Sequence, residues 1–134
     1  MMREADKAAA EFGGYTLVKQ CHGAAMQSGW WINLKTGVPF TPQERHDMVP
    51  TKLMLTVSEL SEAMEGHRKG LMDSHLPNRT NFEVELADAA IRIFDLAGGL
   101  NIDLGKVIAE KLAYNAMRAD HKLSARMQDG GKRY

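Results

Sequence analysis

The chain has 134 residues, enough for one domain with its own core. With 44% hydrophobic and 25% charged residues it has the balance expected of an ordinary soluble globular protein. Lys+Arg and Asp+Glu number 17 each, and this zero net charge argues against nucleic acid or an anionic membrane surface as a partner held by a broad basic field.

Along the chain the pattern is helical. The start, Met-Met-Arg-Glu-Ala-Asp-Lys, is charged and runs into alanines, unlike a signal peptide, and residues 1–12 predict a short polar helix or a frayed arm. Residues 15–28 place Tyr15, Leu17, Val18, Cys21, Ala25 and Met26 at a helical period, which Gly29 ends. Cys21 is the single cysteine, so an intramolecular disulfide and a Cys-rich zinc site are excluded and a reducing, cytoplasmic setting is expected. Residues 29–40, with Trp30, Trp31, Gly37 and Pro39, predict irregular structure. Thr41-Pro42-Gln43-Glu44 is a capping box with proline in the first helical position, opening a short helix near 42–48.

The next helix is expected over about 51–69. Leu53, Val57, Leu60 and Met64 form its apolar stripe, His67, Arg68 and Lys69 suit its last turn, and Gly70 suits its cap. After a connection at 70–79, the capping box Thr80-Asn81-Phe82-Glu83 opens a helix to about Ala97, which Gly98-Gly99 stops. Asp103 caps a last helix that extends to Met127, and 128–134 reads as a flexible tail. No strand-like alternation interrupts this, and no apolar run approaches the roughly 20 residues that span a bilayer. The expectation is a single all-α helical bundle over 1–134, with its core at 51–122 and an N-terminal helix and Trp-containing loop at 15–50.

Two acidic pairs carry the functional signal: Glu59-Leu60-Ser61-Glu62 and Glu85-Leu86-Ala87-Asp88. An i, i+3 spacing puts both carboxylates of a pair on one helix face. The 81–97 helix is apolar around most of its circumference, the mark of a buried helix, yet Glu85, Asp88, Arg92 and Asp95 form one polar seam about 80° wide. A buried carboxylate must be paired, protonated or bound to a metal. The alternative is a structural network in which Arg92 satisfies Asp88 and Asp95, or a seam facing solvent. Glu59, Glu62 and Glu65 lie roughly opposite the apolar stripe of their own helix, which on its own reads as a solvated acidic face. Together, the two pairs on adjacent antiparallel helices present four oxygen ligands to one cleft. Hard oxygen donors select Mg²⁺, with Mn²⁺ possible, and Mg²⁺ favours phosphate oxygens as co-ligands.

The last helix places Lys111, Asn115 and Arg118 within an arc of about 60°, and Lys122 extends the line. An ammonium, an amide and a guanidinium in a row are suited to gripping a triphosphate, although a solvated charged face has the same pattern.

Glu59-x-x-Glu62, a spacer, Glu85-x-x-Asp88, then Lys111-x-x-x-Asn115-x-x-Arg118 resembles the MazG-like family of all-α nucleoside triphosphate pyrophosphohydrolases, whose relatives include dimeric dUTPases and dCTP pyrophosphatases. The resemblance covers about 51–120. It implies Mg²⁺-dependent hydrolysis of a (deoxy)nucleoside triphosphate to the monophosphate and pyrophosphate, by water attack at the α-phosphorus. It implies Glu59, Glu62, Glu85 and Asp88 as metal ligands, with Glu59 or Glu62 as the catalytic base, and Lys111, Asn115 and Arg118 as phosphate-binding residues. His22, Trp30 and Trp31 are similar to base-holding residues of the dCTP pyrophosphatases. A homodimer or homotetramer that completes the site is implied too. Two other readings stand beside this one: phosphoribosyl-ATP pyrophosphohydrolase, and a non-catalytic nucleotide-binding regulatory module.

Overall fold

The computed structural model describes residues 1–134. It is all-α: α1 (Glu4–Gln27), α2 (Pro42–Asp47), α3 (Val49–Lys69), α4 (Asn81–Gly99), α5 (Leu104–Met117) and α6 (Leu123–Arg126), with a 3-10 turn at Ala119–His121 and no strand. No helix is long and apolar enough to cross a membrane. Both capping boxes form as the sequence predicts. Thr41 and Thr80 each accept a bond from the backbone N–H three residues on, and Glu44 and Glu83 return it. The N-terminal segment differs from expectation, since 4–27 is one uninterrupted helix. Gly98 and Gly99 also stay helical. The stop comes at Leu100, after which Asn101 takes the left-handed conformation (φ 55°) and Ile102 N–H donates to Ala97 O at 2.9 Å.

The chain divides into two compact units, one of residues 17–102 and the other of 1–16 with 103–134. In the first, α3 and α4 form an antiparallel pair. Lys52 reaches Asp95, Glu59 reaches Arg92, and Gly66 lies against Asn81, so position rises along one helix as it falls along the other. The buried face of α3 is Thr56, Glu59, Ala63 and Gly66. A Cβ on Gly66 would sit 1.9 Å from Asn81 Oδ1, so only glycine lets α4 begin this close to α3.

This reverses the expected orientation of α3. Leu53, Val57, Leu60 and Met64 are exposed, Met64 to 67%, while Glu59 is buried. Small residues explain the inversion. Thr56, Ala63 and Gly66 admit a neighbouring helix closely, and bulky Leu and Met side chains would hold it off. On α4 the apolar circumference is likewise not all buried: Leu86, Ile91 and Ile93 are exposed.

In the second unit, Gly14 and Gly105 are both buried and their backbones touch. Asp103 caps α5 as predicted, accepting from Lys106 N–H at 3.1 Å. The helix does not reach Met127. It ends at Met117, where Arg118 turns extended (ψ 130°) and its guanidinium grips Asp120 through Nε and Nη2 at 2.9 and 2.6 Å. The segment 128–134 receives two hydrogen bonds, from Arg126 to the Lys132 and Arg133 carbonyls.

Candidate metal centre

The antiparallel register brings Glu59 of α3 beside Glu85 and Asp88 of α4, with one carboxylate oxygen from each within 4.8 Å of the others. Glu59 and Glu85 are buried and Asp88 is half-buried. Burial pushes the Glu85 carboxyl above the ordinary glutamate range; a hydrogen bond from Asn81 partly opposes this, and Glu59 and Glu62 add to it. Burial also raises Asp88, with Glu59 adding to the shift and Arg92 opposing it. The guanidinium of Arg92 bonds to one of the three carboxylates, its Nε donating to Glu59 Oε1 at 2.5 Å, and acts on Asp88 through space. Asn81 Nδ2 donates to Glu85 Oε1 at 2.9 Å. The donor set is all hard oxygen, partly desolvated and short of positive charge, and so it fits a divalent cation: Glu59, Glu85 and Asp88 could hold one metal ion between them.

Glu62 does not join the trio. It is exposed on α3, and its charge reaches Glu85 and Asp88 through space. A further acid that sequence reasoning missed, Asp73 in the α3–α4 connection, adds to the negative potential on Asp88. Asp73 is held by backbone N–H groups of Leu76 and His75 at 2.7 and 2.9 Å, and these bonds, the Leu76 one most, keep its carboxyl below the usual aspartate range.

Asp95, the last acid of the predicted seam, belongs to a different arrangement. It accepts from Trp31 Nε1 at 2.7 Å, His22 Nδ1 lies 2.9 Å from the same oxygen, and Lys52 Nζ is 3.5 Å from the other. Lys52 also sits over the Trp31 ring, 4.1 Å from its centroid. Gly99 leaves the space that the ring fills, since a Cβ there would be 2.2 Å from it. The sequence offered no signal for Lys52. Thus Arg92 satisfies neither Asp88 nor Asp95 by hydrogen bond; its partner is Glu59, on the other helix.

The two tryptophans part company. Trp31 is 0% exposed and offers no open face to a base, whereas Trp30 is 69% exposed. His22 is drawn into the Asp95 network beside Trp31. A cleft of about 450 Å³ between Phe40, Arg45, His46 and Asn101 lies at the C-terminal end of α4 and contains none of the carboxylates.

Lys111, Asn115 and Arg118 belong to the second unit. Lys111 Nζ lies 4.8 Å from the Tyr114 ring centroid, and the guanidinium carbon of Arg118, the residue that caps α5, lies 6.0 Å from it. Asn115 Oδ1 is buried with no hydrogen-bond partner. Lys122 falls off the predicted line because α5 has already ended. Compared with known proteins, the chain matches no family model, no curated protein and no solved structure.

Proposed function

We propose that this chain is a MazG-like pyrophosphohydrolase that converts a (deoxy)nucleoside triphosphate to the monophosphate and pyrophosphate. The observation that carries the reading is the convergence of Glu59, Glu85 and Asp88 in a partly desolvated cluster with only Arg92 to offset their charge. Mg²⁺, or Mn²⁺ in its place, when bound supplies positive charge to the phosphate chain. Glu59, Glu85 and Asp88 are the residues that would hold it, with Asn81 fixing Glu85.

Of the two base candidates, Glu62 is favoured. Glu59 is buried and its Oε1 is taken by Arg92, whereas Glu62 is exposed one turn further along the same helix. Its carboxylate takes the proton of the attacking water as the new O–P bond forms at the α-phosphorus. The α–β bridging bond breaks and pyrophosphate leaves. By the same resemblance Lys111, Asn115 and Arg118 are the proposed phosphate-binding groups, and Arg118 must leave Asp120 to serve.

The reading includes a homodimer or homotetramer. It is supported by the exposed Leu53, Val57, Leu60 and Met64 stripe on α3. Incubation with each NTP and dNTP plus Mg²⁺ tests the activity: monophosphate and pyrophosphate are expected in equal amounts. No release from any nucleotide at high enzyme concentration overturns it, and binding without turnover points to a regulatory module instead.

A further inference from the structure

The carboxylate trio has a cation of its own. Arg92 lies one turn beyond Asp88 on α4 and crosses to α3, where its Nε–H meets Glu59 Oε1. The partners are unequally placed: the Glu59 side chain is 11% exposed and that of Arg92 is 40%. The guanidinium is therefore committed through its Nε–H to a buried acid, while the Arg92 side chain as a whole stays partly exposed. Lys52, two turns before Glu59 on α3, is committed to Asp95 and the Trp31 ring.

A divalent ion held by the trio must draw on the same carboxylate that Arg92 holds. Two cations on one carboxylate repel each other, and the guanidinium is the one attached to a flexible stem. Once released it presents a planar set of donors suited to an oxyanion, and phosphate is the oxyanion whose charge and geometry match best. We propose that Arg92 is an exchangeable counter-ion. It occupies Glu59 in the metal-free centre, is displaced when a divalent cation binds, and then becomes an arm for the phosphate chain. This rests on the metal-centre reading above and adds a consequence to it. Cation and oxyanion binding are coupled through one residue, each strengthening the other.

The test measures Mn²⁺ binding to the full chain by the EPR signal of free Mn²⁺, with and without an α,β-imido dNTP analogue. Arg92→Gln should bind Mn²⁺ alone about tenfold more tightly than wild type, the effect of removing one charged competitor. The analogue should tighten Mn²⁺ binding in wild type by at least about tenfold more than in Arg92→Gln. Arg92→Lys, which keeps the charge but not the planar donor set, should retain weak Mn²⁺ binding and lose most of the coupling. A readout without substitution is the Arg92 Nε–H resonance of the wild-type chain, which should shift as Mg²⁺ is added. Equal Mn²⁺ affinity in wild type and Arg92→Gln, or an Nε–H signal unmoved at saturating Mg²⁺, overturns the exchange and leaves the metal centre standing. No Mn²⁺ binding to any variant, with or without the analogue, overturns the metal centre itself.

Discussion

Helix α4 carries two acidic environments that are opposites. Near its start, Glu85 and Asp88 join Glu59 in a group of three carboxylates with one guanidinium. Near its end, the single carboxylate of Asp95 is surrounded by the indole of Trp31, the imidazole of His22 and the ammonium of Lys52. The first is short of positive charge, and burial raises the carboxyls of Glu85 and Asp88. The second is fully partnered and locks the 28–40 loop onto the helix. Same residue type and same helix, yet one arrangement is poised to accept a ligand and the other to hold structure. What separates them is the ratio of acids to donors, not burial, which they share.

The comparison breaks most visibly at Asp95. Asp95→Ala leaves the buried Trp31 indole N–H without its acceptor and the half-buried Lys52 ammonium without its counter-ion, and should cost about 3–5 kcal/mol, read by urea unfolding. A loss below 1 kcal/mol would mean the network is decorative. Next comes Glu62→Gln, expected to lower turnover about 100-fold, or roughly 2.7 kcal/mol, while Mn²⁺ affinity stays within about twofold of wild type. A large loss of metal affinity in this variant would make Glu62 a ligand after all. Gly66→Ala pushes Asn81 away from its seat and off Glu85, and about 1–2 kcal/mol of destabilisation should follow in thermal unfolding.

The smallest expected effect has the opposite sign. The raised carboxyl of Glu85 binds its proton more readily in the folded chain than in the unfolded one. Its stabilising contribution is therefore complete below the ordinary value of 4.5 and is lost as pH rises through the raised one. At neutral pH ionised Glu85 is a liability, and Glu85→Gln should stabilise the metal-free chain, read as a rise in Tm. Asp73 works in the other direction. Its lowered carboxyl contributes stability above 3.8 that is lost as pH falls through its folded value. The gain from Glu85→Gln should thus shrink as pH drops from neutrality towards 4.5. A Tm unchanged at neutral pH would show that Glu85 carries no such burden.

Much of the helical framework was legible because its signals are local. Thr41 and Thr80 with a glutamate three residues on, and Asp103 ahead of α5, each satisfy an end by contacts within one turn. The closing of Glu59 on Glu85 and Asp88 was legible in outline, through equal spacing on neighbouring helices. Which side of α3 faces inward was not, because amphipathic reading assumes that the largest apolar stripe is buried within the same chain. The usable clue was the small-residue set Thr56, Ala63 and Gly66 on the acidic side. The end of α5 was hidden as well. No Gly or Pro stands near Met117, and the break is marked only by the extended backbone of Arg118 and its pair with Asp120. Trp30 and Trp31 are identical neighbours, and nothing local tells which one the fold swallows.

That last difference gives the chain two optical reporters with separate duties. Trp30 and Trp31 are its only tryptophans, one solvated and one sealed beside Asp95. With Trp30→Phe in place, all indole emission comes from the sealed ring, and its colour and resistance to acrylamide quenching follow the loop's attachment to α4. Far-ultraviolet circular dichroism follows the helices. A gap between the two signals during unfolding would register the loop lifting off while the helical framework is still intact.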